Sequence, residues 1–139
     1  EEFTMSGEAE RKGIDNTPSD AIIIALARTA QVMERVRSLL GKPITVTSGY
    51  RCEALNKAIG GSVNSAHMEG LACDFIAPLF GSPFEVCNLI APLIRDIGID
   101  QLIYEHTWTH IGLRESSPRN QILTLLPGAG YTTGIVRKQ

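Results

Sequence analysis

Two short apolar segments lie so close together in this chain that they leave little choice of architecture. Residues 101–104 (Gln-Leu-Ile-Tyr) and 107–113 (Thr-Trp-Thr-His-Ile-Gly-Leu) both carry the β-branched and aromatic residues of strands. Only Glu105 and His106 separate them. A parallel return needs a crossover of a dozen or more residues, so the two strands must pair antiparallel through a tight turn.

The rest of the sequence extends this sheet and supplies helices to cover it. Residues 43–47 (Pro-Ile-Thr-Val-Thr) alternate as a strand, residues 71–76 form another that Pro78 ends, and residues 121–125 add one more. Between Ser19-Asp20 and Gly41, apolar residues recur at Ile22, Ile23, Leu26, Ala30, Val32, Met33, Val36, Leu39 and Leu40, with Arg28, Glu34, Arg35 and Arg37 between them. That spacing predicts a long helix closed by a glycine cap. A second long helix is expected over residues 83–97, capped by Ser82 and closed by Gly98. Shorter helices are expected over residues 53–59 and within the first eighteen residues. Helices mixed with short antiparallel strands define an α+β class. The sheet should carry residues 45–47, 71–75, 101–104 and 109–113, with both long helices packed on its outer side.

With 139 residues, of which 43% are hydrophobic and 20% charged, the chain fits one globular domain over residues 1–139. A net charge of −2 gives no bulk attraction for nucleic acid, and the apolar run over residues 21–27 is far too short to span a bilayer. Cys52, Cys73 and Cys87 are odd in number and lack metal or redox spacing, so they read as reduced thiols. Asp96, Asp100 and Arg95 read as a solvated helix end. No secretion signal is visible, but the first residue is Glu1 rather than Met, so the compartment stays open.

The chemistry gathers around two of the three histidines. His67 precedes Asp74 by seven residues, the histidine in a loop and the aspartate between Cys73 and Phe75 in an apolar strand. A carboxylate there is expensive to bury unless it meets a cation or a metal. Gly70 and Ala72 lie between them, small enough for the loop to turn back on the strand. On the later strand, alternation puts Trp108, His110 and Gly112 on one face. Two histidines and a carboxylate would leave a tetrahedral zinc with an open fourth position, the arrangement of a catalytic site. Glu105 is a candidate base beside it. His106 reads more as an exposed turn residue than as a substrate contact. Trp108 lines the cleft or packs in the core, and Tyr50 packs in the core or supports the site from behind.

Several strings together carry a resemblance. Ser48-Gly49-Tyr50-Arg51, Asn56, Gly60-Gly61-Ser62, Ser65-x-His67-x-x-Gly70-x-Ala72-x-Asp74, Gln101-Leu102-Ile103-Tyr104-Glu105 and Trp108-x-His110 resemble the zinc D-alanyl-D-alanine carboxypeptidase family, in its small single-domain branch found in phages and bacteria. Phe3-Thr4 and Gly13-Ile14-Asp15-Asn16-Thr17-Pro18 are similar to the opening of that branch. The resemblance implies the fold shared by these peptidases and the hedgehog signalling domain. It implies one zinc ion held by His67, Asp74 and His110, with Glu105 as general base and then acid. It implies that Arg51 binds a substrate carboxylate or carbonyl and that Ser65 hydrogen-bonds substrate or orients its loop. The implied substrate is the peptidoglycan stem peptide, and the implied place of action is the bacterial cell wall. One departure stands out. Many relatives carry the catalytic acid three residues before the last histidine, a position held here by Thr107, whereas Glu105 stands five residues before His110. The alternative reading is a catalytically silent, zinc-stabilised binding module of the hedgehog type. Oligomeric state is not encoded in any of these features.

Overall fold

A computed structural model describes residues 1–137. Helix α1 (Gly7–Lys12) and the long helix α2 (Asp20–Leu40) precede strand β1 (Thr45–Ser48) and the short helix α3 (Glu53–Ala58). Strand β2 (Ala72–Ile76) leads into helices α4 (Pro83–Ile90) and α5 (Ile94–Ile97). Strands β3 (Gln101–Tyr104), β4 (Thr109–Gly112), β5 (Gln121–Leu125) and β6 (Tyr131–Thr133) complete the chain. No helix among the described residues is long and apolar enough to cross a membrane.

Local chemistry accounts for most of the boundaries. Ser19 and Ser82 cap α2 and α4 by accepting hydrogen bonds from Ile22 N–H and Glu85 N–H, and Glu85 returns the favour to Ser82 N–H as a full capping box. Gly41 and Gly98 close their helices in the left-handed conformation that glycine adopts without strain. The helix expected over residues 83–97 is instead broken. It passes through a 3₁₀ turn at Ala91–Leu93, because Pro92 has no N–H to donate and its ring crowds the preceding turn.

The six strands form one sheet in the order β1-β2-β4-β3-β5-β6. The four expected strands pair antiparallel, with Asp74 opposite His110 and Ile103 opposite His110 on its other side. Strand β5 departs from the antiparallel pattern, pairing parallel to β3 with Gln101 opposite Gln121. The chain achieves this by carrying residues 114–120 across the end of β3. Asp100 anchors that crossing. It is not the solvated helix-end charge expected from its neighbours but 3% exposed, and its carboxylate accepts hydrogen bonds from Arg119 N–H, Nε and Nη2. The expected pairing of charge with water fails here because the partner lies nineteen residues away.

Period-two alternation divides the sheet into two faces. Cys73, Phe75, Leu102, Tyr104 and Ile111 point into the core, where Met33, Val36 and Leu40 of α2 and Val86, Cys87 and Ile90 of α4 meet them. Phe75 and Ile111 are fully buried, and truncating a side chain such as Phe75 to alanine costs about 3–5 kcal/mol. Helices α2 and α4 thus cover one face. The opposite face carries Asp74 and His110. The three cysteines are free thiols. Burial pushes the Cys87 thiol up to about 12, which keeps it protonated and inert.

Candidate metal centre

The face opposite the helices gathers His67, Asp74 and His110, whose ligating atoms all lie within 4.8 Å of one another. Each arrives by a different route. Asp74 and His110 are cross-strand neighbours on β2 and β4. His67 comes from a 3₁₀ turn, Ala66–Glu69, capped by the Ser65 hydroxyl and closed by Gly70 at φ +72°. The turn is pinned from behind, since Thr29 Oγ1 on α2 donates to Gly70 O at 2.7 Å. A side chain at Gly70 would press on the Ile22 carbonyl of the same helix, at 3.1 Å.

Hydrogen bonding decides which ring nitrogens face the centre. Among the described residues the only polar partner of His67 Nδ1 is the Gly49 carbonyl at 2.6 Å, and a carbonyl can only accept. Nδ1 therefore carries a proton, and Nε2 faces Asp74 Oδ2 at 3.3 Å. His110 turns Nδ1 to Asp74 Oδ1 at 2.8 Å, and that same nitrogen lies 4.0 Å from Glu105 Oε2. Burial pushes the Asp74 carboxyl up, but hydrogen bonds from the His110 and His67 rings, and their charge when protonated, outweigh it and hold it well below the usual carboxylate range. In the neutral ring the Nε2 lone pair would face the buried carboxylate, a repulsion that a cation held between them would remove. Ligands at about 2.0–2.2 Å around a tetrahedral zinc stand roughly 3.4 Å apart. The His67–Asp74 separation of 3.3 Å matches that spacing, while His110 and Asp74 stand closer, at the 2.8 Å of a hydrogen bond. The donor set fits zinc, with Nε2 of His67, a carboxylate oxygen of Asp74 and Nδ1 of His110. The Gly49 carbonyl fixes which His67 nitrogen faces the centre, as outer partners of metal-bound histidines do.

Glu105 stands beside this cluster at the end of β3. Its Oε2 accepts from Trp108 Nε1 at 2.9 Å, so Trp108 lines the cleft and does not join the core. Burial raises the Glu105 carboxyl above the ordinary glutamate range, with the Asp74 charge adding to it and His110, Trp108 and Arg51 pulling the other way. The turn that places it is tight. Thr107 N–H donates to Glu105 O at 2.7 Å across His106, which has φ +64°. That three-residue turn explains why the acid sits five residues before His110. His106 is exposed on the turn, as expected, and lies away from the cleft lining.

Arg51 enters the same cleft from the turn after β1. It is half-buried, makes no ion pair with Glu53, and reaches Ser65 Oγ through Nη2 at 3.2 Å and Ser48 Oγ through Nη1 at 3.4 Å. Burial lowers its pKa, and the charges of Asp74 and Glu105 oppose that shift. Ser65 serves both sides of the site, accepting from His67 N–H and from Arg51. Tyr50 supports the turn from the other side, away from the metal cleft.

Two contributors escape sequence reading. Asn16 donates to Thr4 O and Tyr50 O and accepts from Cys52 N–H, clamping the backbone on both flanks of Arg51. Gly112 lies on the same face as His110, where a Cβ would stand 3.3 Å from His110 Nε2. The Asn16 side-chain amide has only main-chain partners here, and these leave no pattern in side-chain chemistry. Gly112 shows only as a small residue on the expected face.

The cleft built from these residues has a volume of about 630 Å³. It brings together all six residues singled out from the sequence: His67, Asp74, His110, Glu105, Arg51 and Ser65. A family model described as Peptidase M15 matches residues 1–112, a span that contains every one of them. No curated protein matches the chain.

Proposed function

The chain belongs to the Peptidase M15 family, and on that premise we propose that it is a zinc-dependent peptidase of D-alanine-containing stem peptides in bacterial peptidoglycan. It acts at the cell wall as a D-alanyl-D-alanine carboxypeptidase or a related wall endopeptidase. The observation that carries this reading is the buried His67–Asp74–His110 cluster with a raised-pKa glutamate 4.0 Å from one of its nitrogens. His67, Asp74 and His110 hold one zinc ion. When bound, zinc polarises the scissile carbonyl and brings the pKa of water down towards about 7.

The chain's own residues do the remaining work. Glu105 takes a proton from water and delivers it to the leaving amine. Its elevated pKa suits both directions of transfer. Trp108 holds the carboxylate through Oε2 and leaves Oε1 free to carry the proton. Arg51, braced by Ser48 and Ser65, binds a carboxylate or carbonyl of the peptide and positions the scissile bond.

The test combines metal analysis with Glu105→Gln. The unsubstituted chain, carrying one zinc, should release D-alanine-containing fragments from a synthetic stem pentapeptide and from isolated peptidoglycan, read by mass spectrometry. The variant should keep its zinc and lose about 100-fold or more of the rate. A fully zinc-loaded chain that cleaves neither substrate would replace this reading with the catalytically silent zinc module.

A further inference from the structure

We propose that the cleft contains a second subsite, a shelf formed by Gln101 and Gln121 that reads the main chain of the peptide away from the scissile bond. The chain would then take an extended peptide of several residues in preference to a free dipeptide. This rests on the peptidase reading and extends it to substrate length.

The cleft does not end at the metal cluster. It continues along the uncovered face over β3 and β5, with Gln101, Gln121, Ile103 and Leu123 among its lining and Tyr131, 63% exposed, at its rim. On this floor Gln101 Nε2 donates to Gln121 Oε1 at 2.8 Å. That bond orients both amides and commits one end of each. Gln101 Oε1 and Gln121 Nε2 make no hydrogen bond among the described residues. They offer one acceptor and one donor side by side, the complement of a peptide N–H and C=O. Leu123, half-buried and paired in register with the buried Ile103, continues the same face beside them and suits an aliphatic side chain.

Gly112 keeps the shelf connected to the metal cluster. It stands opposite Gln101 in register, and a Cβ there would meet both His110 Nε2 at 3.3 Å and Gln101 Cβ at 3.7 Å. Any side chain at residue 112 would form a wall between the two parts. Strand geometry gives the distance. Gln101 is one strand across and two residues along from His110, and Gln121 is one strand further. At about 3.4 Å per residue and 4.8 Å per strand, their Cα atoms lie roughly 8 and 12 Å from that of His110. An extended peptide covers about 3.3–3.6 Å per residue, so the shelf meets main chain two to four residues from the metal. A dipeptide held at the metal falls short of it.

Binding distinguishes this from a plain metal-centred site. Calorimetry on zinc-loaded Glu105→Gln, which preserves the peptide, would compare a synthetic stem pentapeptide with its C-terminal dipeptide. The pentapeptide should bind at least tenfold more tightly. Adding Gln101→Ala and Gln121→Ala should remove that advantage while leaving dipeptide affinity and zinc content unchanged. Equal affinities for the two peptides overturn the shelf without reference to any shelf variant, so a misfolded double substitution cannot protect the idea. An advantage that survives the double substitution also overturns it. Hydrolysis by the unsubstituted chain is scored separately. Cleavage without length preference sinks the shelf and spares the peptidase reading. Length-dependent binding without cleavage does the reverse.

Discussion

Burying a carboxylate in an apolar strand costs several kcal/mol unless cations or donors surround it. Asp74, 7% exposed, lies against two imidazoles and, among the described residues, makes no ion pair with a lysine or arginine. Asp74→Asn keeps the shape and removes the anion. It should leave the chain folded and weaken zinc by more than the roughly 100-fold that losing an outer partner of a ligand costs. Competition with a chelator would measure this, and unchanged affinity would remove Asp74 from the ligand set. Arg51→Lys probes the substrate end. Lysine keeps the charge but loses the planar fork, so catalytic efficiency should fall about tenfold or more, each tenfold being about 1.4 kcal/mol, with zinc content and melting temperature unchanged. Matched peptides with free and amidated C-termini locate its partner. An equal loss on both means Arg51 does not read the terminal carboxylate, and no loss on either makes it structural. At this scale the convergence of His67, Asp74 and His110 is legible in sequence, because an aspartate in an apolar strand announces an unmet cost. The clamp by Asn16 and the burial of Asp100 are not, because each depends on partners that local spacing does not reveal.

Elements carry the site as much as side chains do. The turn after β1 bears both the Gly49 carbonyl that orients His67 and the Arg51 guanidinium, and the N-terminal segment braces it through Phe3 O and Asn16. A Cβ on Gly49 would lie 2.3 Å from Phe3 O, a backbone atom that cannot step aside alone. Gly49→Ala should therefore push the N-terminal segment off the turn, costing about 1–3 kcal/mol as overpacked sites do, and should weaken zinc through His67. Limited proteolysis would show faster cleavage within the first eighteen residues. Unchanged stability and zinc affinity would mean the segment does not support the centre. Helix caps and the central strands are legible because their signals are local: Ser82 with Glu85, Gly41, Gly98 and the alternation around Ile111. The break at Pro92 is masked by apolar periodicity that continues through it. Strand β6, Tyr131–Thr133, is exposed throughout and has no apolar alternation to mark it.

At the scale of the whole molecule, the parallel placement of β5 is what separates this sheet from a simple antiparallel meander, and it widens the face on which the cleft lies. Strand periodicity predicts that residues 121–125 are a strand but not where it pairs. The decision rests on residues 114–120, which must cross the end of β3, and there Asp100 acts as the fastener. Its carboxylate accepts three hydrogen bonds from Arg119, its own carbonyl accepts from Gln121 N–H, and Asn120 Nδ2 donates to Ile99 O. Burial alone would raise the Asp100 pKa, but the Arg119 guanidinium and N–H prevail and hold it below the ordinary 3.8. A carboxylate with a depressed folded-state pKa contributes stability that is complete above its unfolded pKa and is lost as pH falls through the folded one. Arg119 is half exposed, so solvent screening trims the contribution of the ion pair. Asp100→Asn should thus cost about 1–2 kcal/mol at neutral pH, mostly from hydrogen bonds to a charged acceptor. The deficit should shrink on acidification, and only below about pH 4. Denaturant unfolding of both chains across pH 3–8 would read the gap directly. A gap that stays constant through the acid range would show that the Asp100 charge contributes nothing, leaving the Asn120 side-chain amide and the Gln121 N–H to hold β5 in place.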